Sequence, residues 1–138
     1  MLKISFVLSH DKPEPTIHEL RARTLGLGFS LVGDVDGTTE QFLFRASQGG
    51  SNPLTIALNR DGSETPGSIN VPARGDSFLF LGRYISIISV LDTAASLGCR
   101  VQVFDEGGYW EHRSIQKVIA FKEKVEMLPD PREILPFM

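Results

Sequence analysis

Cysteine is nearly missing from this chain: Cys99 stands alone, so no internal disulfide can form, and its singleness suits a reducing compartment. Clustered positive charge is missing too. Fourteen Lys and Arg are interspersed with 17 Asp and Glu for a net charge of −3, which leaves no basic face to neutralise phosphates, so nucleic acid is not an expected partner. No glycine-rich phosphate loop is present, because Gly26 and Gly28 lack the third glycine and the preceding strand of a dinucleotide fingerprint. No cofactor is expected. The apolar start at residues 1–10 is too short for a signal-peptide core, and no apolar run reads as long enough to cross a bilayer. A cytoplasmic protein without membrane contact is the resulting expectation.

What is present is enough apolar material for one core. At 138 residues with 41% hydrophobic composition and nine Phe, the chain can bury roughly 68% of its unfolded surface. One domain over residues 1–138 is expected, with a core at 1–128 and a proline-rich tail at 129–138 set off by Pro129, Pro131 and Pro136.

Along the chain, residues 2–8 read as a strand, and Thr16 with Glu19 reads as a capping box opening a helix over 17–25. Ile17, Leu20 and Thr24 would share one face of that helix, with Gly26 or Gly28 closing it. Residues 29–32 and 41–46 read as two strands joined by a hairpin turn at Gly33 to Gly37. That segment fails as a calcium loop, because Val32 and Leu43 stand where acids are needed. A strand at 54–58 follows the loop at 48–53.

Residues 59–76 offer only Ile69 and Val71 for burial. They read as a long, locally opening contact loop with room for one short strand. Within it, residues 74–77 spell an adhesion tripeptide followed by Ser77 and are read as a turn. The apolar run 78–81 fits a buried strand, and 85–97 a helix striped by Ile85, Ile88, Leu91 and Ala95. After a half-buried strand at 100–104, Ile115, Val118, Ile119, Lys122 and Val125 define a last amphipathic helix ending near Met127. The sum is an α+β single domain, a mainly antiparallel sheet packed on one face by about three helices, with one parallel crossover admitted around residues 78–104.

The densest chemistry lies at residues 105–112. Asp105, Glu106, Glu111 and His112 are the candidate acid/base group of a small hydrolase or isomerase, since carboxylates near a histidine at a strand end are what proton transfer requires. Their spacing matches no metal-ligand motif, so no metal is expected, and the plainer account is that they cap a turn and place negative charge at a helix start. Tyr109 and Trp110 read equally as interface anchors or as a lid over the core edge.

Cys99 sits in no known nucleophile context and reads as a small buried thiol, while His10 and His18 read as surface groups. The favoured expectation is a small protein-binding module of the inhibitor or immunity type. Asp105, Glu106, Tyr109, Trp110 and Glu111 would contact a partner protein, with the loop at 59–76 beside them, and a homodimer remains open.

Overall fold

The structure, a computed structural model, describes residues 2–31, 36–37, 40–47, 53–71 and 77–126. The chain is α+β, and every strand pairing among the described residues is antiparallel. β1 (Leu2–Ser9) shows period-two burial, with Leu2, Ile4, Phe6 and Leu8 inside and Lys3 outside. It is the central strand of one ladder, flanked by β6 (Thr65–Val71) and β7 (Arg100–Asp105).

The second ladder is built on β4 (Gln41–Ser47). β5 (Leu54–Asn59) lies along one edge of it, and two short strands, β2 (Ser30–Leu31) and β3 (Asp36–Gly37), lie along the other. The placement follows from register, because Leu43 faces both Ala57 and Asp36 while Ala46 faces both Leu54 and Leu31. β5 passes through the turn at 60–64 and lies beside β6, so the two ladders adjoin. That turn is tied by Asn59 Nδ2 donating to Glu64 O (3.0 Å) and by Asp61 Oδ1 accepting from the Ser63 amide (2.9 Å).

Several elements differ from the sequence expectation. The first helix, α1 (Pro13–Leu25), begins four residues before residue 17 and has no capping box. Thr16 Oγ1 donates instead to Lys12 O (2.7 Å), and Glu19 pairs with Arg23 (2.9 Å). Pro13 at the first helical position explains the early start: its missing amide would be unpaired there in any case. The expected inner face holds, since Ile17, Leu20 and Thr24 are buried, and Gly28 takes the left-handed φ of 87°.

Asp36–Gly37 pairs with Leu43 and Phe42 as strand rather than forming the expected turn. Residues 33–35 of that turn lie outside the described residues. So do the loop at 48–52, residues 72–76 and the tail at 129–138.

The segment read as a contact loop holds a seven-residue strand, β6, laddered to β1 from Leu2↔Val71 to Leu8↔Thr65. Sparse apolar residues hid it. Only Thr65, Ile69 and Val71 turn inward and are buried, and Gly67 takes its inward place because the Phe6 ring lies over it. A Cβ there would stand 2.4 Å from Phe6 Cε2.

Residues 78–81 open α2 (Ser77–Ser96) instead of forming a strand. A short apolar run suits either state, and here a helical stripe continues back through Phe80. The buried face is Phe80, Tyr84, Ile87, Ile88, Val90, Leu91 and Ala94, while Ile85 is half-buried and Ala95 exposed. The span Leu79–Ser96, with mean hydropathy 1.3, is long and apolar enough to cross a membrane, contrary to the expectation that none is. In this fold 39% of that span is buried, on the face from Phe80 to Ala94 that packs into the chain's own core.

α4 (Ile115–Glu126) buries Val118 and Lys122 and leaves Ile115 exposed; its expected end at Met127 falls outside the described residues. Residues 78–81 are helical and supply no strand to the expected crossover, but β6 and β7 both run antiparallel to β1 between them and so parallel to each other, and α2 makes the crossover from β6 to β7. α1 packs on β4 and β5, α2 packs on α1, β6 and β7, and α4 packs on α2. Between these helices and the inward sheet faces lies one contiguous core, in which each fully buried side chain such as Phe44 or Ile56 contributes about 1.5–3 kcal/mol. The outward face of the β6-β1-β7 ladder carries no helix among the described residues.

Candidate functional site

β7 delivers the chain to the corner at 105–112, and the corner divides into a structural part and a surface part. Asp105 belongs to the first. Its Oδ1 accepts from the Gly107 amide (2.9 Å) and its Oδ2 from the Trp110 amide (3.1 Å), so the carboxylate closes the turn and holds the start of α3 (Tyr109–His112). Burial pushes the Asp105 carboxyl above its ordinary range, and the amide bonds pull the other way. The Gly107 amide also donates to Tyr84 Oη (3.1 Å), where a Cβ on Gly107 would come within 2.4 Å of that oxygen. Gly108 turns the chain with φ 73°.

Tyr109 and Trp110 are half-buried and packed against the core, as a lid rather than as free side chains. Arg113 closes over them: its guanidinium lies 4.9 Å from the Trp110 ring centre and 5.6 Å from that of Tyr109. Arg113 itself adopts a left-handed φ of 55°, uncommon for a residue with a side chain, and is anchored to Asp92 on α2 and to Trp110 O. The bond to Asp92 raises the Arg113 pKa further above its ordinary value.

Glu106, Glu111 and His112 face solvent. Glu106 Oε1 accepts from the Lys3 amide (2.9 Å), and Glu111 and His112 stand 3.8 Å apart with both side chains more than half exposed. Both Asp105 oxygens are spent on amides, so the proposed acid/base group is not drawn together as one unit. Among the described residues no three His, Cys, Asp or Glu converge as a metal site. Cys99 is buried just before β7, and burial raises its thiol to about 11, which keeps it protonated and unreactive at neutral pH.

His18 is exposed, as expected. His10 is not a plain surface group: Nδ1 accepts from the Lys12 amide (2.8 Å) and Nε2 lies 2.9 Å from Leu97 O, buckling the β1–α1 loop to the end of α2.

No family model, curated protein or solved structure matches this chain. Function is therefore argued from geometry.

The residue that sequence reasoning missed is Phe104. It is 74% exposed, the most exposed large apolar side chain among the described residues. The signal was available in the strand's parity: Arg100, Gln102 and Phe104 share one face, and the polar character of the first two marks it as outward. Phe104 separates two shallow depressions on the outward sheet face. One, of about 270 Å³, is lined by Lys3, Ser5, Phe104, Asp105, Glu106 and Glu111. The other, of about 390 Å³, runs over Ser5, Val7, Pro66 and Ser68. An exposed aromatic between open, shallow hollows rimmed by a lysine and carboxylates suits a protein surface better than an enclosed small-molecule site.

Proposed function

We propose that this chain works by binding another protein through the outward face of the β6-β1-β7 ladder, with Phe104 as its apolar anchor and Lys3, Glu106 and Glu111 as its polar rim. An inhibitor or immunity-type protein that neutralises its partner is the form this takes. The observation that carries the reading is the exposure of Phe104, because a large aromatic left 74% in water, on a sheet face that no helix covers among the described residues, is the kind of group that interfaces bury. The anchor thus moves from Tyr109 and Trp110, which the core already covers, to the residue one position before Asp105. Proton transfer by Asp105 with His112 has weaker support, since Asp105 is committed to the turn.

The experiment compares capture from the native host by wild type and Phe104→Ser. The proposal expects a stoichiometric protein partner that the variant loses, by roughly 2 kcal/mol or more of affinity, with an unchanged melting curve. Equal capture by the variant, or capture of none by wild type, overturns it.

A further inference from the structure

Among the described residues, β7 has one paired edge and one open edge. Glu106 N donates to Lys3 O (3.3 Å), which sets the phase of the β1–β7 ladder. In an antiparallel pair, hydrogen-bonded and non-bonded positions alternate, so Glu106, Phe104, Gln102 and Arg100 direct their backbone groups to β1. Val101, Val103 and Asp105 direct theirs the other way. The Asp105 carbonyl is taken by the Gly108 amide (3.0 Å), and among the described residues no strand lies along Val101 and Val103. An open edge beside an exposed aromatic is a template for another strand.

The side chains say which strand fits. Antiparallel pairing on this edge must set odd-numbered residues against odd-numbered ones. A two-fold axis at Val103 meets that condition, with Val103 facing Val103 and Val101 facing Asp105. On the outward face the same register sets Arg100 against Glu106 twice, once on each side of the axis, and Phe104 against Gln102. The two Phe104 side chains then stand diagonally across the junction, about 7–8 Å apart at their origins and within reach of each other. Arg100 is reachable though not unbound: its side chain is 64% exposed, its Nε donates to Ser9 Oγ (2.9 Å), and its Nη2 makes long contacts with Asp11 and Gly62 O, at 3.3 and 3.4 Å. Glu106 is exposed beyond its one bond to Lys3. The neighbouring register, centred on Gln102, sets Asp105 against Cys99 and leaves Glu106 opposite Gly98, with no charge matched.

We infer that β7 pairs antiparallel with β7 of a second copy of this chain about a two-fold axis at Val103, joining two three-stranded ladders into one six-stranded sheet. The contact is isologous, so closure at two copies is built in. It rests on the protein-binding reading only in taking the outward face of β7 as a contact surface, and it adds the partner, the register and the symmetry.

The test is sedimentation equilibrium of the full chain with three variants. Val103→Pro removes an amide that points to the open edge and leaves the β1 ladder whole. Arg100→Glu and Glu106→Arg each set like charges across the junction. Wild type is expected to be dimeric, and each variant to self-associate about tenfold more weakly or less. An equimolar mixture of Arg100→Glu with Glu106→Arg should recover the dimer, since both charge pairs are then restored between the two chains. A wild type that stays monomeric at its highest soluble concentration overturns the inference, as does a mixture no tighter than its components. So does a chain that dimerises only after residues 127–138 are removed, because the tail would then occupy the edge. If Phe104→Ser loses a captured partner while wild type is monomeric, the binding proposal stands and this inference alone falls.

Discussion

Arg113 and Asp92 meet fork to fork, with Nη1 2.6 Å from Oδ2 and Nη2 2.7 Å from Oδ1, and this pair straps the α3–α4 junction to α2. The bidentate geometry is the strong form of such a bond, although both side chains are nearly half exposed and solvent screens them. Asp92→Ala should cost about 1 kcal/mol in denaturant melts, less at high salt. A variant as stable as wild type at low salt would show that the stacked rings alone hold Arg113.

Trp110 and Phe104 should behave oppositely. Trp110 packs against the core beneath Arg113, so Trp110→Ala should lower stability by about 2 kcal/mol, below the cost of a fully buried ring. Phe104→Ser should stay within roughly 0.5 kcal/mol of wild type, as exposed positions do. Paired denaturation curves check both, and the reverse order would return the anchor role to Trp110.

Asp105 should give stability a pH dependence of defined sign. Burial raises its folded-state pKa, so the folded chain holds the proton more tightly than the unfolded chain does. That contribution is fully present below the unfolded carboxyl value and is lost as pH rises through the folded one. Melts from roughly pH 3 to pH 7 should therefore show wild type losing stability relative to Asp105→Asn as pH rises through and just above the ordinary carboxylate range. A difference that moves the other way would mean that the amide bonds to Gly107 and Trp110 dominate.

Gly107 and the buried Tyr84 should be coupled. A methyl at Gly107 would meet Tyr84 Oη at 2.4 Å and Cζ at 2.9 Å, and Tyr84 has no exposed surface into which to retreat. Gly107→Ala should cost about 1–3 kcal/mol, the usual range for overpacking. Tyr84→Phe removes the oxygen and should cost about 1 kcal/mol, since Asp105 Oδ1 still accepts from the Gly107 amide. The double variant should be less damaged than the sum of the two, and strict additivity in the cycle would argue that the chain shifts elsewhere.

Much of the fold is legible in one dimension. The period-two alternation of Leu2, Ile4, Phe6 and Leu8 marks a strand buried on one side, and the spacing of Ile17, Leu20 and Thr24 marks a helix face, because those periods are properties of local backbone geometry. The single Cys99 likewise excluded an internal disulfide without reference to any contact. Tertiary structure decided what local pattern leaves degenerate. Residues 78–81 fit strand or helix until Phe80 comes to lie in one stripe with Tyr84 and Ile87, and Thr65–Val71 becomes a strand because β1, with partners 57 to 69 residues earlier, pairs with it and Phe6 fills the space above Gly67. The same holds at the corner. Asp105, Glu106 and Glu111 are alike in sequence, yet one closes a turn and two face water, since a carboxylate's role depends on which amides the folded chain brings to it. The parity of β7 places Phe104 on the face of Arg100 and Gln102, but only the fold shows that no helix among the described residues covers that face.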